Sequence, residues 1–98
     1  WKAQKHRERG TDGGADKIIH FQDAFHGRTG YTLSVTNTDP TKTDDFPIFD
    51  WPRISSPYID FPMDEEAVAA KEEVACAEIE AAFERDPHGI AAILIEPI

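Results

Sequence analysis

The chain has 98 residues, and its 10 lysines and arginines against 19 aspartates and glutamates give a formal charge of −9. This length allows at most one small domain, and the acidity argues against a nucleic-acid-binding protein because phosphate recognition needs clustered cations. The sequence lacks the run of roughly 18 apolar residues that a membrane helix needs, and its single cysteine, Cys76, excludes an internal disulfide framework and a cysteine-rich zinc site.

The two ends of the sequence are typical of a segment of a longer protein. The chain begins at Trp1 without an initiator methionine, and the stretch 90–98 is almost wholly apolar. Natural termini usually fray in water and are seldom so apolar. We therefore expect the chain to be truncated at both ends.

The first predicted elements are the end of a helix, a loop and a strand. Helix-forming residues and a basic last turn cover Trp1–Arg9, and Gly10 follows them. Residues 11–16 predict a turn-rich loop. The apolar run Lys17–Phe21 predicts a short strand that is covered on both faces, as in a parallel sheet.

A long proline-rich connection, residues 29–62, shows no sustained helical period. Within it, Tyr31–Thr36 predict a brief strand or helical turn. Its aromatic residues, too many for a free linker, include Phe46, Phe49, Trp51, Tyr58 and Phe61. A connection of this length in a compact domain is usually functional or lies against a neighbour, so we expect it to pack at a subunit interface.

The clearest predicted helix covers Asp64–Arg85. Asp64 can cap its first turn, and the two glutamates that follow suit the positive end of the helix dipole. An apolar stripe at helical spacing consists of Val68, Ala75, Ile79, Ala82 and Phe83. The many acidic residues of this segment predict a solvent-exposed face, with an acidic recognition surface as the alternative.

A second buried strand is predicted for Ile90–Ile95, which is apolar without alternation. The order strand, helix, strand predicts a parallel α/β sheet with right-handed crossovers. The carboxyl ends of parallel strands lie at one edge, where ligands bind in open α/β sheets. Residues 25–28 follow the first strand and Glu96 follows the second, so an aromatic ring, a glycine, a cation and a carboxylate are predicted to meet there.

Each residue of this candidate site also has a structural interpretation. Phe25 either closes the core or offers its ring to a flat ligand, and Arg28 either forms an ion pair or binds a carboxylate with two hydrogen bonds. Gly27 either forms a turn or lets the backbone approach a ligand. Glu96, which precedes Pro97, either ends a strand or contributes to the site.

A metal site is a weaker alternative. His20, Asp23 and His26 are spaced by three, but on an extended segment His20 and Asp23 point to opposite faces. We therefore expect no metal. Cys76 lies on a helix flank without a local cation, which favours an unreactive thiol.

Two motifs resemble those of the class-III, fold-type-I pyridoxal-phosphate aminotransferases. The Phe-His-Gly-Arg-Thr-Gly run at 25–30 looks like the aromatic-His-Gly-Arg turn that follows a large-domain strand in that family, and Ile-Leu-Ile-Glu-Pro-Ile at 93–98 looks like its strand ending in Glu-Pro. Segments 30–38 and 46–54 are similar to the lysine 6-aminotransferase branch. The Phe-Asp-Trp-Pro-Arg-Ile run at 49–54 is what favours this branch.

The resemblance implies roles for the residues of the sheet edge. Phe25 would stack on the pyridine ring of pyridoxal 5'-phosphate, and Arg28 would bind the α-carboxylate of L-lysine. Glu96 would lie in the wall near the cofactor as a hydrogen-bonding residue. His26 and Gly27 belong to the same cofactor-binding group, although no chemistry is assigned to His26.

The resemblance further implies transfer of the ε-amino group of L-lysine to 2-oxoglutarate by a cytoplasmic homodimer. Residues 1–98 would be a partial large domain, with the Schiff-base lysine, the aspartate at the pyridine nitrogen and the phosphate-binding turn outside the chain. No catalytic residue is therefore assigned, and the chain alone is expected to be inactive. The alternatives are an ornithine- or 4-aminobutyrate-type aminotransferase and, in another class, a non-catalytic acidic protein-interaction domain.

Overall fold

The computed structural model describes residues 15–97. The strands are β1 (Lys17–Phe21), β2 (Arg53–Ile54) and β3 (Ile90–Ile93), the α-helix is α1 (Glu65–Arg85), and short 3-10 helices cover Thr32–Val35 and Pro40–Lys42. The helix predicted for Trp1–Arg9 lies outside the described residues, as does most of the loop predicted for 11–16.

β1 is the middle strand of a parallel sheet with the order β2-β1-β3. Ile19 pairs with Ile93 on one side, and Phe21 pairs with Ile54 on the other. The predicted parallel pairing of the first and last strands is confirmed. β2 was not predicted, because only two of its residues pair and Pro52 before them has no N–H to donate to a sheet.

Helix α1 begins and ends where the sequence predicts. The Asp64 carboxylate accepts the N–H of Glu66 at 3.1 Å, which caps the first turn. Arg85 in the last turn complements the negative end of the dipole. No helix within residues 15–97 has both the length and the apolar character needed to cross a bilayer.

The apolar stripe of α1 is narrower than predicted. Ala75 and Ala82 are buried and Ile79 packs against the core, so the prediction is confirmed at these positions. Val68 is half-buried and Phe83 is 40% exposed, so the stripe is buried only in part among the described residues. Phe83 directly follows Ala82, and successive residues lie about 100° apart around a helix, which turns the Phe83 side chain away from the sheet.

β3 is shorter and less buried than the predicted strand Ile90–Ile95. It ends at Ile93, although the Leu94 N–H still donates to the Ile19 carbonyl at 2.8 Å. Ile90 is buried, whereas Ile93 is 48% exposed, so the prediction of burial on both faces is wrong among the described residues. Residues 15–97 supply a single α-helix, which can cover only one face of the sheet.

An ion pair joins the start of β1 to the end of α1. Lys17 Nζ lies 2.7 Å from Asp86 Oδ2 and 3.6 Å from Asp16 Oδ1. The hydrogen bond from Lys17 lowers the pKa of Asp86, and the same bond raises the pKa of Lys17. Both shifts favour the charged forms, so the pair persists at neutral pH.

The connection 29–62 packs partly on itself. The brief element predicted at 31–36 is a 3-10 helix, which confirms the helical alternative. The Tyr31 and Phe49 rings stack with centroids 5.6 Å apart, and the Phe49 and Trp51 rings stack at 4.8 Å. The subunit interface expected for this stretch stays a prediction.

Candidate functional site

A hydrogen bond joins the residues that follow β1 and β3 at the carboxyl edge of the sheet. The Phe25 N–H donates to Oε2 of Glu96 at 3.1 Å, across 71 positions of sequence. Parallel pairing of the two strands brings these residues together. The predicted proximity of the segments after β1 and β3 is confirmed at the Phe25 main chain, while the convergence of ring, guanidinium and carboxylate around a ligand stays a prediction.

The Phe25 side chain lies at the surface of the described chain. It is 44% exposed, whereas the neighbouring Ala24 is buried. Lys42 Nζ lies over the ring, 5.2 Å from its centroid, in a cation–π geometry. The interpretation of Phe25 as a core residue is therefore wrong among the described residues. The contact with Lys42 was missed because no local pattern links the two positions.

Gly27 has a backbone conformation that favours glycine. Its φ of +104° lies in the left-handed region, and an added Cβ would lie 3.0 Å from Thr32 Oγ1. By contrast, a Cβ added at Gly30 would meet nothing within 4 Å. The conformation accounts for a glycine at this position, while both the turn-forming role and close approach to a ligand stay predictions.

The Thr36 hydroxyl holds the backbone of the segment 22–28 that follows β1, called here the motif turn. Its Oγ1 accepts the His26 N–H at 2.9 Å and donates to the Gly27 carbonyl at 2.6 Å. Sequence reasoning missed Thr36, because an isolated threonine in a connection carries no motif or periodic signal.

Arg28 is exposed at the end of this turn. Within residues 15–97, no carboxylate forms a salt bridge with its guanidinium. The structural ion pair considered for Arg28 therefore has no support in the described part of the chain. A planar guanidinium free of such a partner can bind a ligand carboxylate with two parallel hydrogen bonds.

His20 is held as a neutral residue in the middle of the sheet. It is 1% exposed, and its Nδ1 lies 3.2 Å from the Ile18 carbonyl oxygen. Its Nε2 accepts a hydrogen bond from Arg53 Nε at 3.3 Å. Burial lowers the pKa of His20, and the positive charges of Arg53 and His26 add to that effect. Both ring nitrogens are used within the fold, which argues against His20 as a metal ligand.

His26 Nε2 is a buried nitrogen without a hydrogen-bond partner among the described residues. Buried nitrogens normally find partners, so the atom is consistent with a polar group of a ligand or of another segment at this position. Over the same residues, 15–97, no three histidine, cysteine or carboxylate side chains are grouped as a metal ion would need.

A cleft of about 740 Å³ opens at the carboxyl edge and is lined by residues that follow all three strands, including Asp23, Tyr58 and Glu96. A slightly larger cleft of about 840 Å³ includes Lys17 and Ile90, the first residues of β1 and β3. Ligands of parallel α/β sheets bind beyond the carboxyl ends of the strands. The cleft beside Glu96 is therefore the candidate site. Its lining includes Ala24 and Glu96 but not residues 25–28, which continue the chain from its border.

Comparison with known proteins assigns the chain to a family. The family model for class-III aminotransferases matches residues 1–98. The chain belongs to the class-III aminotransferases. Within this family, an L-lysine-epsilon aminotransferase of Mycobacterium tuberculosis is 50% identical over 99 residues, which cover 100% of this chain and 22% of that protein. The chain thus spans about a fifth of the length of the curated relatives it matches.

A solved structure supports the fold assignment of this class-III aminotransferase chain. A lysine aminotransferase from M. tuberculosis matches with a TM-score of 0.88 and 50% identity, over 100% of this chain and 23% of that one. A probable mitochondrial 4-aminobutyrate aminotransferase of Caenorhabditis elegans is 38% identical over 83% of this chain and 18% of that protein. The predicted α/β fold of a fold-type-I aminotransferase is confirmed.

Proposed function

We propose that this chain is part of an aminotransferase that moves the ε-amino group of L-lysine to 2-oxoglutarate with pyridoxal 5'-phosphate. The observation that carries the proposal is the 50% identity, along the whole chain, to L-lysine-epsilon aminotransferases. The 4-aminobutyrate aminotransferases that match are 37–38% identical over 83% of the chain, which favours lysine as the amine donor. Family membership also favours an enzyme over a non-catalytic acidic interaction domain.

Phe25 is the residue that we propose stacks on the cofactor. Its half-exposed ring at the carboxyl edge suits a flat heteroaromatic group, and the Lys42 ammonium lies over one face. Glu96 fixes the backbone that carries this ring by accepting the Phe25 N–H. His26 and Gly27 follow Phe25 directly, and we assign them to the same cofactor-binding group because the buried Nε2 of His26 is available to a polar group. Pyridoxal phosphate, when bound, supplies the electron sink that amino-group transfer needs.

Arg28 is the residue that we propose binds the substrate. Its exposed guanidinium can hold the α-carboxylate of lysine with two charge-assisted hydrogen bonds. Holding that end of the molecule keeps the α-amine away from the cofactor and presents the ε-amine to it. This arrangement accounts for transfer from the distal amine rather than from the α-amine.

We further propose that the chain is a partial large, cofactor-binding domain, and that the complete enzyme is a cytoplasmic homodimer. The catalytic lysine then lies elsewhere in the enzyme. Support for a subunit interface comes from the connection 29–62, whose exposed aromatic side chains include Phe46, Phe49, Tyr58 and Phe61. Apolar surfaces of this kind are generally covered by a partner or by another part of the protein.

The proposal is tested with the complete enzyme, loaded with pyridoxal phosphate and supplied with 2-oxoglutarate. Lysine, ornithine and 4-aminobutyrate are compared as amine donors, and both glutamate and the 6-semialdehyde of lysine are measured. We expect lysine to have the highest kcat/KM of the three. Use of ornithine or 4-aminobutyrate with no use of lysine would overturn the lysine assignment, and transfer from none of the three would overturn the enzyme assignment.

A further inference from the structure

The turn that carries Phe25 and Arg28 is held by two consecutive residues from the connection, Thr36 and Asn37. We propose that Thr36 and Asn37 are positioning residues that set the Phe25 ring for cofactor stacking and the Arg28 guanidinium for substrate binding. The inference rests on the proposed function, because it assigns a purpose to the geometry of that same site.

Thr36 is buried completely, with 0% of its surface exposed. Its Oγ1 accepts from the His26 N–H and must donate its single proton to the Gly27 carbonyl, since a carbonyl can only accept. One hydroxyl therefore satisfies both a donor and an acceptor on neighbouring residues of the motif. Valine in its place would keep the shape and leave both backbone groups unpaired.

Asn37 holds the earlier part of the same turn with its backbone and with both ends of its side chain. Its N–H donates to the Ala24 carbonyl at 2.9 Å, and its Nδ2 donates to the Phe21 carbonyl at 2.9 Å. Its Oδ1 accepts the Asp23 N–H at 2.5 Å. Asp23 has a φ of 60°, a left-handed conformation that needs such local support.

These contacts lie on both sides of Phe25 and on the N-terminal side of Arg28, the two residues that we propose meet cofactor and substrate. Phe25 lies between Ala24, which Asn37 holds, and His26, which Thr36 holds. Arg28 directly follows Gly27, whose carbonyl accepts from Thr36. The hydrogen bonds that Thr36 and Asn37 make to this segment all go to its backbone, so we expect their effect on binding to pass through the backbone of the turn.

The test compares three variants of the complete enzyme. Thr36→Val removes the hydroxyl, and Thr36→Ser retains it. Ser34→Ala is the matched control, since Ser34 is 1% exposed and its Oγ accepts the Phe49 N–H at 2.8 Å, away from the motif turn. Each variant is measured for its dissociation constant for pyridoxal phosphate, the visible circular dichroism of the bound cofactor, KM and kcat for lysine, and thermal midpoint.

Thr36→Val is expected to weaken cofactor binding and raise KM for lysine by about tenfold each, and to change the cofactor's circular dichroism. Thr36→Ser should bring the dissociation constant for the cofactor and the KM for lysine to within about threefold of the parent enzyme, and should restore the cofactor's circular dichroism. Ser34→Ala, which leaves the Phe49 N–H unpaired, should lower the thermal midpoint but leave the cofactor signal and KM nearly unchanged. Should Thr36→Val fail to fold, Asn37→Ala takes its place, because it removes two side-chain bonds and keeps the backbone bond to Ala24.

Equal effects of Thr36→Val and Ser34→Ala on cofactor affinity and KM would overturn the positioning role. Phe25→Ala and Arg28→Ala separate this result from failure of the proposed function. If those two variants lose cofactor and lysine binding while Thr36→Val does not, only the positioning inference is wrong. If they bind cofactor and lysine as the parent enzyme does, the site assignment itself is wrong.

Discussion

Glu96 binds the main chain of Phe25, the residue that we propose stacks on the cofactor, by accepting the Phe25 N–H at 3.1 Å. The carboxylate belongs to the segment after β3, and the N–H belongs to the segment after β1. Each strand end therefore stabilises the position of the other. Substitutions at Glu96 should therefore weaken cofactor binding even if Glu96 does not contact the cofactor.

Glu96→Ala should weaken pyridoxal-phosphate binding in the complete enzyme by about 3- to 10-fold, because the Phe25 N–H loses a charged acceptor worth roughly 1 kcal/mol at a partly exposed site. Glu96→Gln keeps an oxygen at the same position and should cost less than about threefold. Equilibrium dialysis of both variants measures the difference. Equal losses would show that charge, rather than the hydrogen bond to Phe25, is what matters.

Arg28→Ala should lower kcat/KM for lysine by about 10- to 100-fold, since charge-assisted bonds to a carboxylate contribute roughly 1.5–3 kcal/mol. The matched substrate is 1,5-diaminopentane, which has the same distal amine and no carboxylate. Its rate, low in the parent enzyme, should change little in the variant. A parallel fall with both amines would contradict carboxylate recognition by Arg28.

Gly27→Ala should destabilise the enzyme by about 1–2 kcal/mol, because alanine resists the left-handed φ of +104° at this position. Gly30→Ala is the control, since its Cβ would meet nothing within 4 Å. The control should change the free energy of unfolding by less than about 0.5 kcal/mol. Chemical denaturation measures both variants, and similar shifts for the two would argue against conformational strain at Gly27.

Acid should weaken the link between β1 and α1. The pKa of Asp86 is lowered from 3.8 by its hydrogen bond with Lys17, so the stabilisation is present above the unfolded-state pKa and is lost as the pH falls through the lowered value. The pKa of Lys17 is raised from 10.5, so at the basic end the stabilisation is lost only as the pH rises through that raised value.

Asp86→Asn tests this link through thermal midpoints measured from about pH 5 to pH 3. The parent enzyme should lose more stability over this range than the variant does. Asp16→Asn is the matched control, because Asp16 lies 3.6 Å from the same ammonium, compared with 2.7 Å for Asp86. Between about pH 5 and pH 3, Asp16→Asn should lose as much thermal stability as the parent enzyme. If Asp86→Asn also loses as much as the parent, the assignment of the acid-sensitive pair to Asp86 and Lys17 is wrong.

Those parts of the fold that depend on strong local patterns were predictable from the sequence. The apolar run of β1, and the cap and length of α1, identify both elements and their order, and the order predicts parallel pairing. β2 was missed because two paired residues have no periodicity. The exposure of Phe83 and Ile93 was missed because it depends on which neighbouring layers are present, and no local pattern records this.

The candidate site, too, has a part that was predictable from the sequence and a part that was not. Phe25 and Glu96 were predicted to meet because each follows a strand, and the topology of a parallel sheet then fixes their proximity. Thr36, Asn37 and Lys42 were missed, because their contacts with the motif turn join irregular segments through single polar side chains. Such contacts follow from the path of a loop, which hydrophobic spacing does not determine.

The middle position of β1 in the sheet has a consequence for the order of events during synthesis. β1 emerges from the ribosome first, yet both strands that flank it are translated later. The acceptor for the Phe25 N–H follows 71 residues afterwards, a delay of about 4–14 s at roughly 5–20 residues per second. β2 becomes available within that interval, but the edge of β1 that pairs with β3 stays open until the end of it, so the motif turn can take its final shape only after Glu96 has left the exit tunnel.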